Sequence, residues 1–289
     1  MIVLTEINIK QLTYKLMPIS ENRHAVCFLL DEHKACSICP DFITITHDHM
    51  LTTHKFVLKL FIDKNIANHV LQFTHFSPTM RGMVTNSNKF YAYEIYPYVK
   101  GETLFEYVWN NIQINGSLNK YERAHLMLAI SNSVANLHKD TSNLVHGDLR
   151  PDNIIVAKDE NNPLKATLID FDSVARVGEK FRNTLCGAYP YMPPESFVSS
   201  NKTSQALDVY SLGIIYYELI YGRQPWADET QTFKTFEQWQ AFHTITRTIS
   251  FDNEIDTQEQ ELIKIALSYY PENRPVISEF VKTFETLID

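Results

Sequence analysis

The sequence predicts an α+β chain of two lobes, a small antiparallel sheet followed by a larger, mainly helical body, and three observations lead there. Polar residues alternate with β-branched and aromatic ones in the early part of the chain, and the hydrophobic period changes to that of helices beyond Gly101. No repeat, low-complexity tract or flexible linker separates the two regions. The expectation is one domain over 1–289, with a sheet lobe at 1–95, a hinge at 96–101 and a helical lobe at 102–289.

The strand signals run from Arg23 to Ile62, in FITIT at 42–46 and KFVLKLF at 55–61. A short helix is expected at Lys64 to Phe76, then two further strand-like runs, the stronger being Lys89 to Tyr98, with Pro97 and Gly101 punctuating its end. The first glycine is Gly82, so no phosphate-cradling glycine loop exists in the opening 81 residues. Past Gly101, Leu126, Ile130, Val134 and Leu137 form one stripe of a helix over Tyr121 to His138, and Asn119 with Glu122 has capping-box spacing before it. Val209 to Tyr221 is apolar almost all round and stops at Gly222, which predicts a buried helix.

An apolar content of 44% is enough to bury a core. The net charge of −8 argues against nucleic acid or an anionic membrane surface as partner. Four cysteines are too few for a disulfide framework, and Glu6 interrupts the apolar core a signal peptide would need, so a reducing, cytoplasmic setting is expected. The longest apolar stretch is interrupted by Glu218 and is too short to span a bilayer.

The chemistry is concentrated in LVHGDLRPDNIIV at 144–156 and ATLIDFD at 166–172. Two apolar strands flank a turn-rich segment, and in an antiparallel hairpin Asn153 and Asp170 meet at the same end. A carboxylate plus an amide oxygen is the sparse, hard ligand set that Mg²⁺ accepts when phosphates and water complete its octahedron. Asp148, in the loop leading into the hairpin, is placed to accept a proton from an incoming hydroxyl.

These motifs, His146 to Asn153 and Asp170 to Asp172, resemble the catalytic loop and metal-binding motif of protein kinases. GAYPYMPPE at 187–195 resembles the end of an activation segment, and Asp208 to Gly213 and Asn273 to Pro275 follow in the family's order. The resemblance implies a bilobal protein-kinase-like fold that binds ATP with Mg²⁺ or Mn²⁺ and phosphorylates a protein substrate. It makes Asp148 the catalytic base and Asn153 and Asp170 the metal ligands, with His146 and Phe171 packed behind them. Arg150 stands where a lysine commonly contacts the transferring phosphate, Glu195 and Arg274 would form a buried ion pair, and Asp208 would brace the catalytic loop. In the sheet lobe Lys59 resembles the lysine that reaches the α- and β-phosphates, with Lys55 its competitor. Glu94 and Tyr96, in the run to Tyr98, take the hinge position at adenine, with Val57 above the ring and Ile155 below it.

The departures matter as much. No glycine-rich loop covers the phosphates, and no glutamate lies between His33 and Tyr93 to pair with Lys59 from a C-helix; Gln72 and Asp63 are the nominated substitutes. Gly147 replaces an arginine that would grip a phosphorylated loop, so that mode of activation is not expected. Asp172 replaces a glycine and adds a carboxylate suited to a second metal; Ala188 replaces a threonine that touches the catalytic loop. The altered small lobe is the expected surface for an activating partner. Cys36, Cys39, His47 and His49 form a lesser candidate, for zinc. The functions weighed are a divergent protein kinase with a Ser/Thr leaning, a pseudokinase acting as a binding module, and a small-molecule kinase of the aminoglycoside or choline type.

Overall fold

The computed structural model describes residues 6–9, 12–15, 18–21, 25–31, 55–61, 80–86, 89–115, 118–139, 143–159, 162–180, 187–198, 201–251 and 255–288. The chain divides into two compact units, Met1–Val99 and Lys100–Asp289.

The first unit is a seven-stranded antiparallel sheet. Its strands are β1 (Glu6–Ile9), β2 (Leu12–Lys15), β3 (Pro18–Glu21), β4 (Ala25–Asp31), β5 (Lys55–Phe61), β6 (Met80–Asn86) and β7 (Lys89–Pro97), in the spatial order β2-β1-β6-β7-β5-β4-β3. The KFVLKLF run becomes β5, between β4 and β7. Alternation sends Leu58, Leu60, Tyr93 and Ile95 to one face, and Val57, Lys59, Phe61, Ala92 and Glu94 to the other. Every one of these side chains is buried, so the strand has a covered surface on both sides. Strands β1 to β3 precede Arg23, where the strand signals of the sequence begin. The FITIT strand at 42–46 and the helix expected at Lys64 to Phe76 lie outside the described residues.

The hinge position given to Glu94 is corrected by the ladder. Glu94 is opposite Lys59 on one side and Arg81 on the other, and Tyr96 is opposite Val57, so both sit within β7. A backbone enclosed by neighbouring strands makes its hydrogen bonds to them and is not available to a purine at Glu94. The chain leaves the strand only after Pro97.

The second unit carries the helices α1 (Leu104–Asn115), α2 (Lys120–Lys139), α3 (Ala206–Tyr221), α4 (Ala227–Thr230), α5 (Phe236–Phe242), α6 (Thr257–Ala266) and α7 (Ile277–Ile288). The predicted cap is present at the start of α2: Glu122 N–H donates to Asn119 Oδ1 and Asn119 N–H to Glu122 Oε2, both at 3.0 Å. Helix α3 is buried along most of its length and ends at Gly222, whose φ of 66° closes the last turn onto the Glu218 carbonyl at 2.8 Å. Tyr216 of α3 meets Phe284 of α7 edge to face at 5.0 Å. Two short strand pairs complete the unit. Strands β10 (Ile154–Asp159) and β11 (Asn162–Leu168) form the expected hairpin, with β8 (Glu102–Thr103) added to β10; β9 (Leu144–Val145) pairs with β12 (Ala175–Arg176).

Candidate functional site

Asp208, at the start of α3, anchors the loop that carries the candidate base. One of its carboxylate oxygens accepts the His146 N–H at 2.9 Å and lies 2.8 Å from His138 Nε2; the other accepts the Gly147 N–H at 3.0 Å. Burial alone would raise the Asp208 carboxyl, but the His138 hydrogen bond and the neighbouring positive charge and N–H dipoles hold it below its ordinary value. It stays an anion, and two successive backbone amides are fixed by it.

His146 links this loop to the segment before Asp170. Burial lowers its pKa in spite of Asp208 nearby, which favours the neutral ring. A single neutral tautomer then satisfies both contacts: Nε2–H donates to the Ile169 carbonyl at 3.0 Å and Nδ1 accepts the Asp148 N–H at 3.3 Å. Phe171 packs against the same ring, with centroids 5.0 Å apart.

The hairpin brings Asn153 and Asp170 to one end, since the Ile169 N–H donates to the Asn153 carbonyl at 2.9 Å immediately beyond the Ile154–Leu168 pair. Asn153 is buried, and its Nδ2 donates to the Asp148 carbonyl at 2.8 Å and to Asp148 Oδ2 at 3.1 Å. With the amide protons engaged, the remaining polar atom of Asn153 is its oxygen, a hard neutral donor of the type Mg²⁺ accepts. Asp170 adopts φ 62° and ψ 69°, a left-handed conformation that aspartate tolerates better than most residues. Among the described residues, no cluster of three or more His, Cys, Asp and Glu side chains has metal-holding geometry. Asn153 and Asp170, at one end of the hairpin, carry the side-chain oxygens that could hold a cation there.

Asp148 sits between these groups. Its Oδ1 accepts the Ala188 N–H at 2.9 Å while Oδ2 accepts from Asn153. Burial pushes its carboxyl up from 3.8 to about 7; the Asp170 charge adds to this, while the Ala188 N–H, Arg150 and Asn153 partly offset it. A carboxyl titrating near neutrality is suited to taking a proton. Ala188, which has no hydroxyl, makes its contact with the loop through the main chain. Arg150 is half-exposed, 3.3 Å from Asp152 and close enough to Asp148 to influence its charge.

Gly147 has a reason beyond the missing arginine. Its φ is 76°, and a Cβ there would lie 2.7 Å from the Ser173 carbonyl oxygen. Any side chain at 147 must therefore strain the loop or push it off Ser173. We expect Gly147→Ala to lower stability by about 1–3 kcal/mol, checked by chemical denaturation, and Gly147→Arg to do worse and restore no loop-phosphate contact.

The end of the 187–195 segment is held from below. Arg274 and Glu195 form a buried bidentate pair at 2.5 and 2.8 Å, and the guanidinium also donates to the Ser268 and Ala206 carbonyls. Met192 and Phe197 pack with Trp239 and Phe242 of α5, and Tyr191 O–H donates to Glu218 at 2.9 Å.

In the other unit, Lys59 is only 4% exposed. Val57 is buried, and Ile155 lies on β10 opposite Thr103. Cys36, Cys39, His47, His49, Asp63 and Gln72 fall outside the described residues.

A family model described as protein kinase domain matches residues 68–284, well over half of the chain. The chain is 28% identical over 191 residues to an Aurora kinase of Eremothecium gossypii, across 65% of this chain and 45% of that protein. It is 26% identical over 198 residues to serine/threonine-protein kinase tousled-like 1 of Caenorhabditis elegans, across 62% of this chain and 20% of that protein. With Aurora kinase C of Mus musculus the identity is 23% over 249 residues, across 82% and 83% of the two chains. The chain thus spans less than half the length of the first two relatives. No described helix is long and apolar enough to cross a membrane. With the family model covering both the catalytic-loop and activation-segment motifs, the chain belongs to the protein kinase domain family.

Proposed function

We propose that the chain transfers the γ-phosphate of ATP to serine or threonine hydroxyls of proteins. The observation that carries the reading is the arrangement of Asp148: a carboxylate held by the Asn153 amide and the Ala188 N–H, with Asp170 near enough to raise its pKa. Asn153 and Asp170 would hold Mg²⁺ or Mn²⁺, which screens the phosphate charge as the bond to the leaving oxygen breaks. Asp148 orients the substrate hydroxyl and takes its proton as that oxygen bonds to phosphorus and ADP leaves. Arg150 and Lys59 supply positive charge to the phosphates, and Val57, Tyr96 and Ile155 supply the adenine surroundings.

A protein substrate is favoured over a small alcohol by the 187–195 segment, which is fixed by Glu195–Arg274 below and by the aromatic cluster around Trp239 beside it. Such a braced surface is of use in docking a peptide and of none to choline. The Ser/Thr preference follows the name of the tousled-like relative. The 1–95 lobe, the hinge and the 102–289 lobe are proposed as one catalytic domain, with the small lobe as the surface for an activator.

The test is to incubate the purified chain with labelled ATP, Mg²⁺ or Mn²⁺, and generic proteins, beside choline and an aminoglycoside. Label is expected in protein hydroxyls alone; turnover of the small alcohols would overturn the reading. Asp170→Ala should abolish the melting-temperature rise given by saturating Mg-ATP. A ligand at a hundred times its Kd is worth about 2.7 kcal/mol, so the loss is readily seen. A persisting shift would show the metal is held elsewhere.

A further inference from the structure

A cavity of about 280 Å³ lies among the end of α5, the 243–249 segment that follows it, and the end of α6 with the residues after it. It shares no lining residue with the cavity that surrounds Asp148. Trp226, Phe242 and Leu267 give it apolar walls, and Ile245 on its lining is 59% exposed. Its charged lining is of one sign: Arg247 and Lys264 are there, and no described carboxylate is. A positive enclosure in a chain of net charge −8 is suited to an anion.

Two of the lining side chains have hydrogen-bonding capacity to spare. Arg247 lies over the Phe242 ring at 3.9 Å and uses Nη1 on Glu229 and Nε on the Phe242 carbonyl, so its Nη2 has no partner among the described residues. His243 is 8% exposed and stacked on Phe197 at 4.8 Å, and its buried Nε2 has no hydrogen-bond partner among the described residues. A polar atom left so costs about 1–3 kcal/mol. Burial, with the Arg247 and Arg274 charges nearby, lowers the His243 pKa to about 4, which keeps the ring neutral in a positive field.

We propose that this cavity binds a small organic acid, an aromatic or aliphatic body carrying one carboxylate. The body packs among Trp226, Phe242 and Leu267, and the carboxylate meets Arg247 and Lys264 and supplies an acceptor that the imidazole lacks. The volume is at the lower end for small-molecule sites, so a compact ligand is implied. Inorganic phosphate would leave the apolar walls bare. Pro194 of the 187–195 segment lines the same cavity, as does Tyr210, whose ring is 4.9 Å from the Arg274 guanidinium, so an occupant touches elements that brace that segment.

The experiment is a calorimetric titration of the intact chain with 3-phenylpropionate, beside its uncharged isostere 3-phenylpropionamide. The acid should bind with a Kd on the order of 1 mM, as suits so small a ligand, and the amide about tenfold more weakly. Saturating Mg-ATP and inorganic phosphate should each leave that Kd unchanged. Arg247→Met and Lys264→Met should each raise it about threefold or more. Lys264 is 50% exposed, so its variant keeps the test open where loss of the Arg247 stack on Phe242 disturbs folding. The indole N–H of Trp226, which donates to the Thr248 carbonyl beside the cavity, should shift in the NMR spectrum as the acid is added. No saturable binding at about ten times the expected Kd would overturn the proposal. So would equal binding of acid and amide, competition by Mg-ATP, or a Kd that Lys264→Met leaves unchanged.

Discussion

Asp148→Asn is expected to reduce phosphate transfer by about 10²–10⁴-fold while leaving the Kd for Mg-ATP within a few-fold of wild type. The amide keeps the size of the side chain but cannot accept the hydroxyl proton. Single-turnover transfer measured beside calorimetric binding separates the two effects, and equal residual labelling by both proteins would mean the chain transfers nothing and serves as a binding module. The same substitution has a pH signature. Asp148 titrates at about 7 in the folded chain against 3.8 when unfolded, so between those values the native state holds the extra proton. Its contribution to stability is therefore full below about pH 4 and is lost as pH rises through about 7. In metal-free protein, the stability of wild type relative to Asp148→Asn should fall steadily from pH 5 to pH 8. At 1.36 kcal/mol per unit the ceiling is about 4 kcal/mol, reduced by the solvent the group still meets. A flat difference across that range would refute the burial argument.

Arg274→Ala should be the most destabilising single change in the helical unit, by about 3–5 kcal/mol, because it strands the Glu195 carboxylate in a buried setting. The Arg274 side chain is 0% exposed and Glu195 8%, and the carbonyls of Ser268, Ala206 and Tyr269 lose their donor. Arg274→Lys should recover little, since an ammonium cannot reproduce the two parallel bonds. The exposed pair Arg223–Asp228 provides the contrast: at 2.6 Å it is as short, yet with side chains 52% and 84% exposed its removal should cost under about 1 kcal/mol. Urea unfolding of both variants checks the ranking. A loss from Arg274→Ala no larger than from Arg223→Ala would show that the pair does not hold the 187–195 segment.

Much of the helical unit was legible because its signals are local. Asn119 and Glu122 are three residues apart, Gly222 directly follows its helix, and the hairpin strands around 154–168 adjoin in sequence. That short hairpin is why Asn153 and Asp170 could be placed together before any coordinates. Three features were not legible, each for a physical reason. Strands β1 to β3 are four residues long, too short for alternation to stand out from noise. The resemblance gives Glu94 the hinge position, while the structure has it inside β7. Its place opposite Lys59 depends on a register between segments more than thirty residues apart, which no local pattern encodes. The Ala188 contact is invisible for a simpler reason, since a backbone N–H leaves no mark in an alphabet of side chains.

That contact limits how the base can be governed. Every residue type except proline owns the amide that Ala188 offers to Asp148. Position 188 can drift through nearly any identity and the tether survives, whereas a threonine hydroxyl in the same role would be lost by many single substitutions. An alanine also presents no oxygen for a phosphate to be attached to. Control exerted through this contact must displace the polypeptide itself, which makes the tether resilient to mutation at 188 and deaf to chemical marks at that residue.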